Sequence, residues 1–463
     1  MISHHEGNGV RAKLLVRFFL SNFIKAQQTP IFKAMKTAHI ISIGNELLIG
    51  DTVNTNASWL GRYLNEQGFD VKQVMTLPDD YDMLMAKMSE SFETADFTVV
   101  TGGLGPTHDD ITKKVIVDLF ESKLIENKNV LNHIKEIFQR RGFKFGKSNA
   151  DQALVPDICD VMFNRKGTAP GLWIDQDARA MAVMPGVPHE MKYLAENEIT
   201  PRLYSIFPDR AVRSIRYFHT AGVPESTLSD DVIGDLSDYL NIGIEVAFLP
   251  NAGGVKIRVG YRGEDIEQAE SAMDQFRSML LDRAGDMIYG EGKVCHHAEV
   301  VGEKLSELGK MIAVAESCTG GRLSDTITDI PGSSNYMLGG VLSYANSVKI
   351  NQLSVKESDL ETHGAVSAPV ALQMAKGVAE LTGADIGVST TGVAGPGGGT
   401  MEKPVGTVWM GFWSENTHFA LKGLFTEDRD INKQRTTSVV LETVRRQLNG
   451  IESFPYNLTP VYK

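Results

Sequence analysis

The segment A-E-S-C-T-G-G at Ala315–Gly321 sets Ser317, Cys318 and Thr319 between an apolar run and a helical pattern. A strand that ends where a helix begins leaves backbone N–H groups free, and these stabilise an oxyanion or a phosphate. Gly320 and Gly321 let a ligand approach the backbone closely. A serine nucleophile needs a base, and no histidine lies nearby in sequence. Lys349, five residues after Tyr344 in S-Y-A-N-S-V-K, is the candidate base if burial lowers its pKa. Cys318 is the rival nucleophile, since a helix N-terminus depresses a thiol pKa. The plain alternatives are Ser317 as a helix cap, Lys349 as a solvated charge and Cys318 as an inert buried thiol.

Two further segments bear on the same site. Thr390–Gly399, T-T-G-V-A-G-P-G-G-G, leaves a strand pattern and resembles a phosphate or oxyanion cradle. Arg429 in D-R-D precedes the last helix and is suited to clamp a phosphate, or to pair with a neighbouring carboxylate.

The other chemistry lies near the amino end. T-G-G-L-G-P-T-H-D-D at Thr101–Asp110 joins a glycine turn to paired acids at a helix start. Gly102, Gly103 and Gly105 can cradle a pyrophosphate through backbone N–H groups. Asp109 and Asp110 suit a hard divalent cation on phosphate oxygens, or one caps the helix while the other complements its dipole. Glu46, just after the first strand, adds a carboxylate to the same rim. Asn54 and Asn56 read as helix caps before sugar contacts.

The elements that position these residues are α/β. His39–Ile43, Phe69–Leu77 and Phe97–Thr101 read as strands separated by helices, which predicts a parallel sheet with ligands at its carboxyl edge. Residues 45–56 read as a loop. From about residue 210 a small α+β unit follows: strand Val212–Thr220, helix Glu225–Asp238, hairpin Glu245–Leu249 with Val255–Tyr261, and helix Asp265–Leu281. Gly290–Lys293 reads as a linker. A second α/β domain begins at helix His297–Leu308, with strands at Met311–Ala315, Val341–Tyr344, Ile386–Thr390 and Thr407–Phe412. Helices are expected at Pro369–Leu381 and Ile431–Gln447.

Composition bounds the function. The 463 residues carry 46 Lys and Arg against 58 Asp and Glu, a net charge of −12. That argues against a broad basic face for nucleic acid, and no G-x-x-G clamp with flanking basic residues is read between 210 and 290. Three cysteines are too few for a disulfide framework. No apolar run approaches the roughly 18 residues that span a bilayer. Residues 1–34 lack a signal-peptide pattern, because Arg17 and Lys25 interrupt the apolar stretch. They are expected to be a disordered extension, and no function is assigned to them.

The combination A-E-S-C-T-G-G, G-A-V-S at Gly364–Ser367, T-G-V-A-G-P-G-G-G and K-P-V-G-T-V-W resembles the nicotinamide mononucleotide deamidase family. With G-N-E-L-L-I-G-D-T-V-N-T-N, G-T-A-P-G and M-P-G-V-P-H-E-M, the whole chain resembles the competence/damage-inducible protein A (CinA) family. The resemblance implies a molybdopterin-binding-like α/β domain at 35–208, a small KH-like α+β domain at 209–290 and an α/β deamidase domain at 294–450. It implies hydrolysis of nicotinamide mononucleotide to nicotinic acid mononucleotide and ammonia. Ser317 would be the nucleophile, Lys349 the proton acceptor and Tyr344 a supporting residue. Thr319, Gly320, Thr391 and Gly392 would contact substrate and Arg429 its phosphate, with no cofactor in that domain. Glu427 departs from the small residue expected beside the clamp. For the first domain it implies hydrolysis of the ADP-ribose pyrophosphate, with a divalent metal ion on Asp109, Asp110 and Glu46. Expected partners are small-molecule nucleotides and a second copy in a homodimer, with no nucleic acid and no membrane, in the cytoplasm. The rival readings are a molybdopterin-type nucleotidyl transfer domain with an inactive partner, and a non-catalytic nucleotide-binding regulator.

Overall fold

In the computed structural model, which describes residues 35–105, 111–209, 212–263 and 265–461, alternating side chains split the first core in two. On strand β1 (Lys36–Ile43), Ala38 and Ile40 join one apolar cluster, while Ile41 and Ile43 join the other. Strand side chains point alternately to opposite faces, so a sheet covered on both sides must be apolar at every position. Helix α1 (Thr55–Glu66) covers the first face and α2 (Tyr81–Thr94) the second. With β2 (Phe69–Leu77), β3 (Phe97–Thr101), α3 (Thr112–Leu119), β4 (Asp160–Met162), β5 (Gly171–Gln176) and β6 (Arg179–Met184), the sheet order is β2-β1-β3-β6-β5-β4. The first four strands are parallel, and β5 runs antiparallel to its neighbours β6 and β4.

The middle segment is a four-stranded sheet. It contains β7 (Val212–Thr220), β8 (Ile244–Asn251), β9 (Gly254–Gly263) and β10 (Ile288–Glu291), ordered β8-β9-β7-β10, with α4 (Ile266–Ala284). In the third segment α5 (His297–Glu307) leads to β11 (Ile312–Glu316), α6 (Arg322–Thr328), β12 (Met337–Leu342), α7 (Asn346–Leu353) and α8 (Ala368–Thr382). There follow β13 (Ile386–Gly392), β14 (Thr407–Ser414), β15 (His418–Leu424), α9 (Arg429–Leu448) and β16 (Pro460–Val461). The sheet order is β12-β11-β13-β14-β15-β16. Ile312 and Val314 of β11 face α5 and α9, whereas Ala313 and Ala315 face α8. Pro369 in the first turn of α8 and Gly383, left-handed at φ 74°, set its ends.

The chain divides into two compact units, one running to Ser214 with Arg262–Ala269, the other combining Ile215–Tyr261 with residues from Glu270 onward. Within the second unit the β8–β9 turn rests on α9, where Ser438 Oγ donates to the Gly253 carbonyl at 2.6 Å.

Several expectations need correction. The strands expected to be parallel in the first sheet are so, but β5 enters it antiparallel, and in the third segment β14 and β16 run antiparallel to β13. The segment after β1 contains a helical turn at Asn45–Leu48. Gly290 lies in β10, paired with β7, so the expected linker begins later. The helix expected at 225–238 is two pieces, Thr227–Ile233 and Ser237–Asn241, broken at Gly234 with φ 69°. Gly260-Tyr261-Arg262-Gly263 does have G-x-x-G spacing, yet it is strand backbone in β9 and not a clamp loop. Residues 1–34 fall outside the described residues. Among the described residues no helix is long and apolar enough to cross a membrane.

Candidate active site

Glu316 on β11 pairs with Leu342 on one side and Thr390 on the other, so three parallel strands end together at one edge. There Ser317 donates its N–H to the Thr390 carbonyl at 2.9 Å, and the chain turns through Gly320 (φ 62°) and Gly321 (φ 95°) into α6. Left-handed backbone at two successive residues is strained for any side chain but glycine's hydrogen. The turn leaves Ser317 half-buried and sinks Cys318 and Thr319.

Lys349, on the second turn of α7, is 1% exposed. Its Nζ donates to Ser317 Oγ at 3.3 Å, to the Ser343 carbonyl at 2.6 Å and to the Tyr344 carbonyl at 3.2 Å. Burial pulls its pKa below the usual lysine value, with a small opposing effect from Cys318. All three acceptors are neutral oxygens, so the neutral amine costs less to bury than the ammonium. Burial pushes the Cys318 thiol up to about 12, outweighing its own backbone N–H and the Thr390 hydroxyl. A half-buried hydroxyl beside an amine and a sunken thiol can do different things. The first can be activated for acyl transfer; the second stays protonated.

The other expected residues fall into place unequally. Tyr344 contributes its carbonyl, while the residue is 64% exposed. Gly320 N–H closes the turn on the Ser317 carbonyl at 3.2 Å, whereas the N–H groups of Cys318 and Thr319 take no backbone or side-chain oxygen among the described residues. Thr319 Oγ1 and Thr390 Oγ1 lie 2.7 Å apart. Thr391 is buried and donates to the Ala365 carbonyl at 2.8 Å, tying β13 to the G-A-V-S segment. At Gly392 a Cβ would meet the Thr407 carbonyl at 2.7 Å, so only glycine fits between the strands. Arg429 Nη1 donates to the Gly395 carbonyl at 2.9 Å, holding the glycine-rich loop and leaving its other donors for a ligand. Glu427 is exposed.

Two residues that sequence reasoning missed complete the site. Buried Asn432 donates to the Ala394 and Thr426 carbonyls at 2.9 and 2.8 Å, fixing the same loop. Glu316 accepts from the N–H groups of Gly321, Leu323 and Ser324 at 3.0, 3.1 and 2.8 Å and from Ser324 Oγ at 2.5 Å. A Glu just before the nucleophile, at the end of an apolar strand, is the signal that was available for it.

In the first unit, Gly102 (φ 112°) and Gly103 (φ 66°) form the turn after β3, where a Cβ would strike the Ile43 carbonyl at 2.3 Å and Thr112 Oγ1 at 2.0 Å. Gly105 is exposed on the same turn. Asn54 caps α1 by accepting from Ala57 N–H at 3.0 Å. Asn56 does not cap: its Nδ2 donates to the Gly186 carbonyl at 2.7 Å, while its buried Oδ1 has no partner among the described residues. Glu46 is exposed after β1, and Asp109 and Asp110 lie outside the described residues. Among the described residues no three His, Cys, Asp or Glu side chains come together to hold a metal ion. Of the three residues that the resemblance assigns to a metal ion, Glu46 alone lies among the described residues.

Two α/β sheets joined through a small α+β unit, with a serine–lysine pair at one sheet edge, define a modular three-domain protein. Residues 39–205 match the "Probable molybdopterin binding domain" family, 215–290 the "Damage-inducible protein CinA KH domain" family and 295–448 the "CinA C-terminal domain" family. The CinA-like protein of Salinibacter ruber is 40% identical over 413 residues, covering 89% of this chain and 99% of that protein. The CinA-like protein of Chloroherpeton thalassium is 40% identical over 423 residues, with 89% and 99% covered. The crystal structure of competence/damage inducible protein CihA from Agrobacterium tumefaciens shows 37% identity, covering 33% of this chain and 93% of that one, with a TM-score of 0.32. The chain belongs to the CinA family.

Proposed function

We propose that the C-terminal domain hydrolyses the carboxamide of nicotinamide mononucleotide, giving nicotinic acid mononucleotide and ammonia. The observation that carries this reading is the buried Lys349 Nζ, 3.3 Å from Ser317 Oγ, with its pKa drawn down by burial. Neutral Lys349 takes the Ser317 proton as Oγ adds to the amide carbon. The oxyanion forms against the N–H groups of Cys318 and Thr319, since the Gly320 N–H is taken by the Ser317 carbonyl. As the C–N bond breaks, the lysine returns its proton to the departing nitrogen and ammonia leaves. Water then adds to the acyl ester, with Lys349 again accepting a proton, and Ser317 is regenerated with the carboxylate. The nucleotide phosphate would meet the donors of Arg429 not used by Gly395. Ammonia release by the purified protein and by Ser317→Ala tests the proposal: turnover only in the parent supports it, and equal turnover in both rejects Ser317 as nucleophile.

For the N-terminal domain the proposal is hydrolysis of the ADP-ribose pyrophosphate. Its support is the glycine turn at the carboxyl edge of β3, where the Gly102 N–H is taken by the Met184 carbonyl at 3.0 Å while Gly103 is half-buried and Gly105 exposed at the rim where a phosphate would sit.

A further inference from the structure

Glu316 sits at the end of a buried strand and is 1% exposed. A carboxylate in such a place must be paired or saturated with hydrogen bonds. Among the described residues no lysine or arginine forms an ion pair with it. Its oxygens are met by three N–H groups and one hydroxyl, all from Gly321, Leu323 and Ser324. These N–H groups belong to the start of α6, whose own cap residue, Gly321, has no side chain to satisfy them. The carboxylate therefore replaces a cap from inside the sheet and draws the start of the helix back onto the strand that precedes it.

That geometry makes a closed staple. The chain leaves β11 at Glu316, passes through Ser317, Cys318, Thr319 and Gly320, and returns to the Glu316 side chain at Gly321. The four residues inside the staple hold the candidate nucleophile and the free N–H groups. The backbone of the same residue faces the other half of the site. The Glu316 carbonyl accepts from Ser343 N at 2.8 Å and Ser343 Oγ at 3.3 Å, and the Ser343 carbonyl seats Lys349 Nζ at 2.6 Å.

We propose that Glu316 is a positioning residue for the amide hydrolysis. Its carboxylate fixes Ser317 Oγ and the Cys318 and Thr319 N–H groups, while its carbonyl fixes the seat of Lys349. The inference rests on the reading of Ser317 as nucleophile. It does not make Glu316 a catalytic residue, because its oxygens are spent on the protein. Glutamine at this position would keep the shape but turn an NH2 group toward N–H donors. Aspartate would keep the charge while withdrawing it by one methylene.

The test compares the full-length parent with Glu316→Gln and Glu316→Asp, using nicotinamide mononucleotide turnover and amide hydrogen exchange across 317–324. For Glu316→Gln, kcat falls about 10²-fold, the scale of one lost oxyanion donor, and KM stays within about threefold. Exchange in 317–324 quickens, and Glu316→Asp recovers part of the loss. A brace that serves stability alone would lower the unfolding temperature and leave kcat per folded molecule unchanged. A folded Glu316→Gln within about threefold of parental kcat overturns the proposal. If Glu316→Gln does not fold, Ser324→Ala removes one of the four bonds, and kcat must fall about fivefold for the proposal to stand. A parent that releases no ammonia rejects the deamidase reading instead. The exchange data then decide alone, with unchanged protection in Glu316→Gln overturning the staple.

Discussion

Lys349 Nζ lies 3.3 Å from Ser317 Oγ and 2.6 Å from the Ser343 carbonyl, so one buried amine joins the loop after β11 to the loop after β12. Burial disfavours its charged form, which is also the form unable to accept a proton. The rate of amide hydrolysis should therefore rise with pH along a limb whose midpoint lies below 10.5. Lys349→Arg removes that limb with the activity, since a guanidinium stays protonated. Stability follows the same sign. Between the folded and unfolded pKa values the unfolded chain binds more protons, so stability rises with pH in that window. A kcat/KM profile checks the first statement, and urea midpoints taken over the same pH range check the second.

Cys318 is the nearest competitor, and its surroundings predict inactivity as a nucleophile. A buried thiol held at about 12 carries almost no thiolate near neutral pH. Cys318→Ala should retain kcat within about threefold while losing about 1 kcal/mol of stability from the core it joins. Iodoacetamide applied to the native parent at neutral pH should leave ammonia release intact. Rapid inactivation, protected by substrate, would contradict this.

Metal removal should separate the two proposed reactions. The serine–lysine mechanism uses only groups of the chain, whereas the Asp109–Asp110 pair was assigned a divalent cation for its hardness and charge. EDTA treatment followed by dialysis should abolish ADP-ribose cleavage and leave ammonia release unchanged. Magnesium or manganese should restore the former. Loss of both activities would show that the C-terminal reaction also depends on a metal.

The parts legible in the sequence were those set by local pattern. β2 and β3 have the bounds their apolar patterns predicted, and Ser317 and Lys349 meet because both follow strands of one sheet. Strand direction was not legible, since a doubly covered strand is apolar throughout whichever way its neighbour runs. That is why the sequence did not show that β14 runs antiparallel to β13. Gly290 looked like a linker because its partner, His219 on β7, lies far away in sequence. Glu316 was hidden for a related reason. Its place at the end of an apolar strand marked it as unusual, but the donors that fill its oxygens come from the turn and helix that follow, which the strand pattern does not show.

The last helix carries a second buried carboxylate, with a different role. Glu442 is 0% exposed on α9. Its oxygens accept from Arg445 Nε and Nη2, both at 2.8 Å, and from Arg446 Nε at 2.7 Å, with His297 Nε2 at 3.1 Å. The same arginines reach the middle segment, Arg445 at the Asp286 carbonyl and Arg446 at the Ala221 carbonyl. Burial alone would raise the Glu442 carboxyl, but the hydrogen bonds and charges of Arg445 and His297 outweigh it and hold it at about 2. A carboxyl with a lowered folded pKa stabilises above its unfolded value of 4.5 and loses that contribution as pH falls toward 2. Glu442→Ala leaves two guanidinium groups buried beside an empty space, which costs about 3–5 kcal/mol. The urea midpoint of the parent should accordingly fall between pH 4.5 and 2, and that of Glu442→Ala should be low already at pH 7 with less further loss on acidification. A variant as stable as the parent at pH 7 would mean that the arginines find other acceptors and that the cluster does not hold the middle segment to α9.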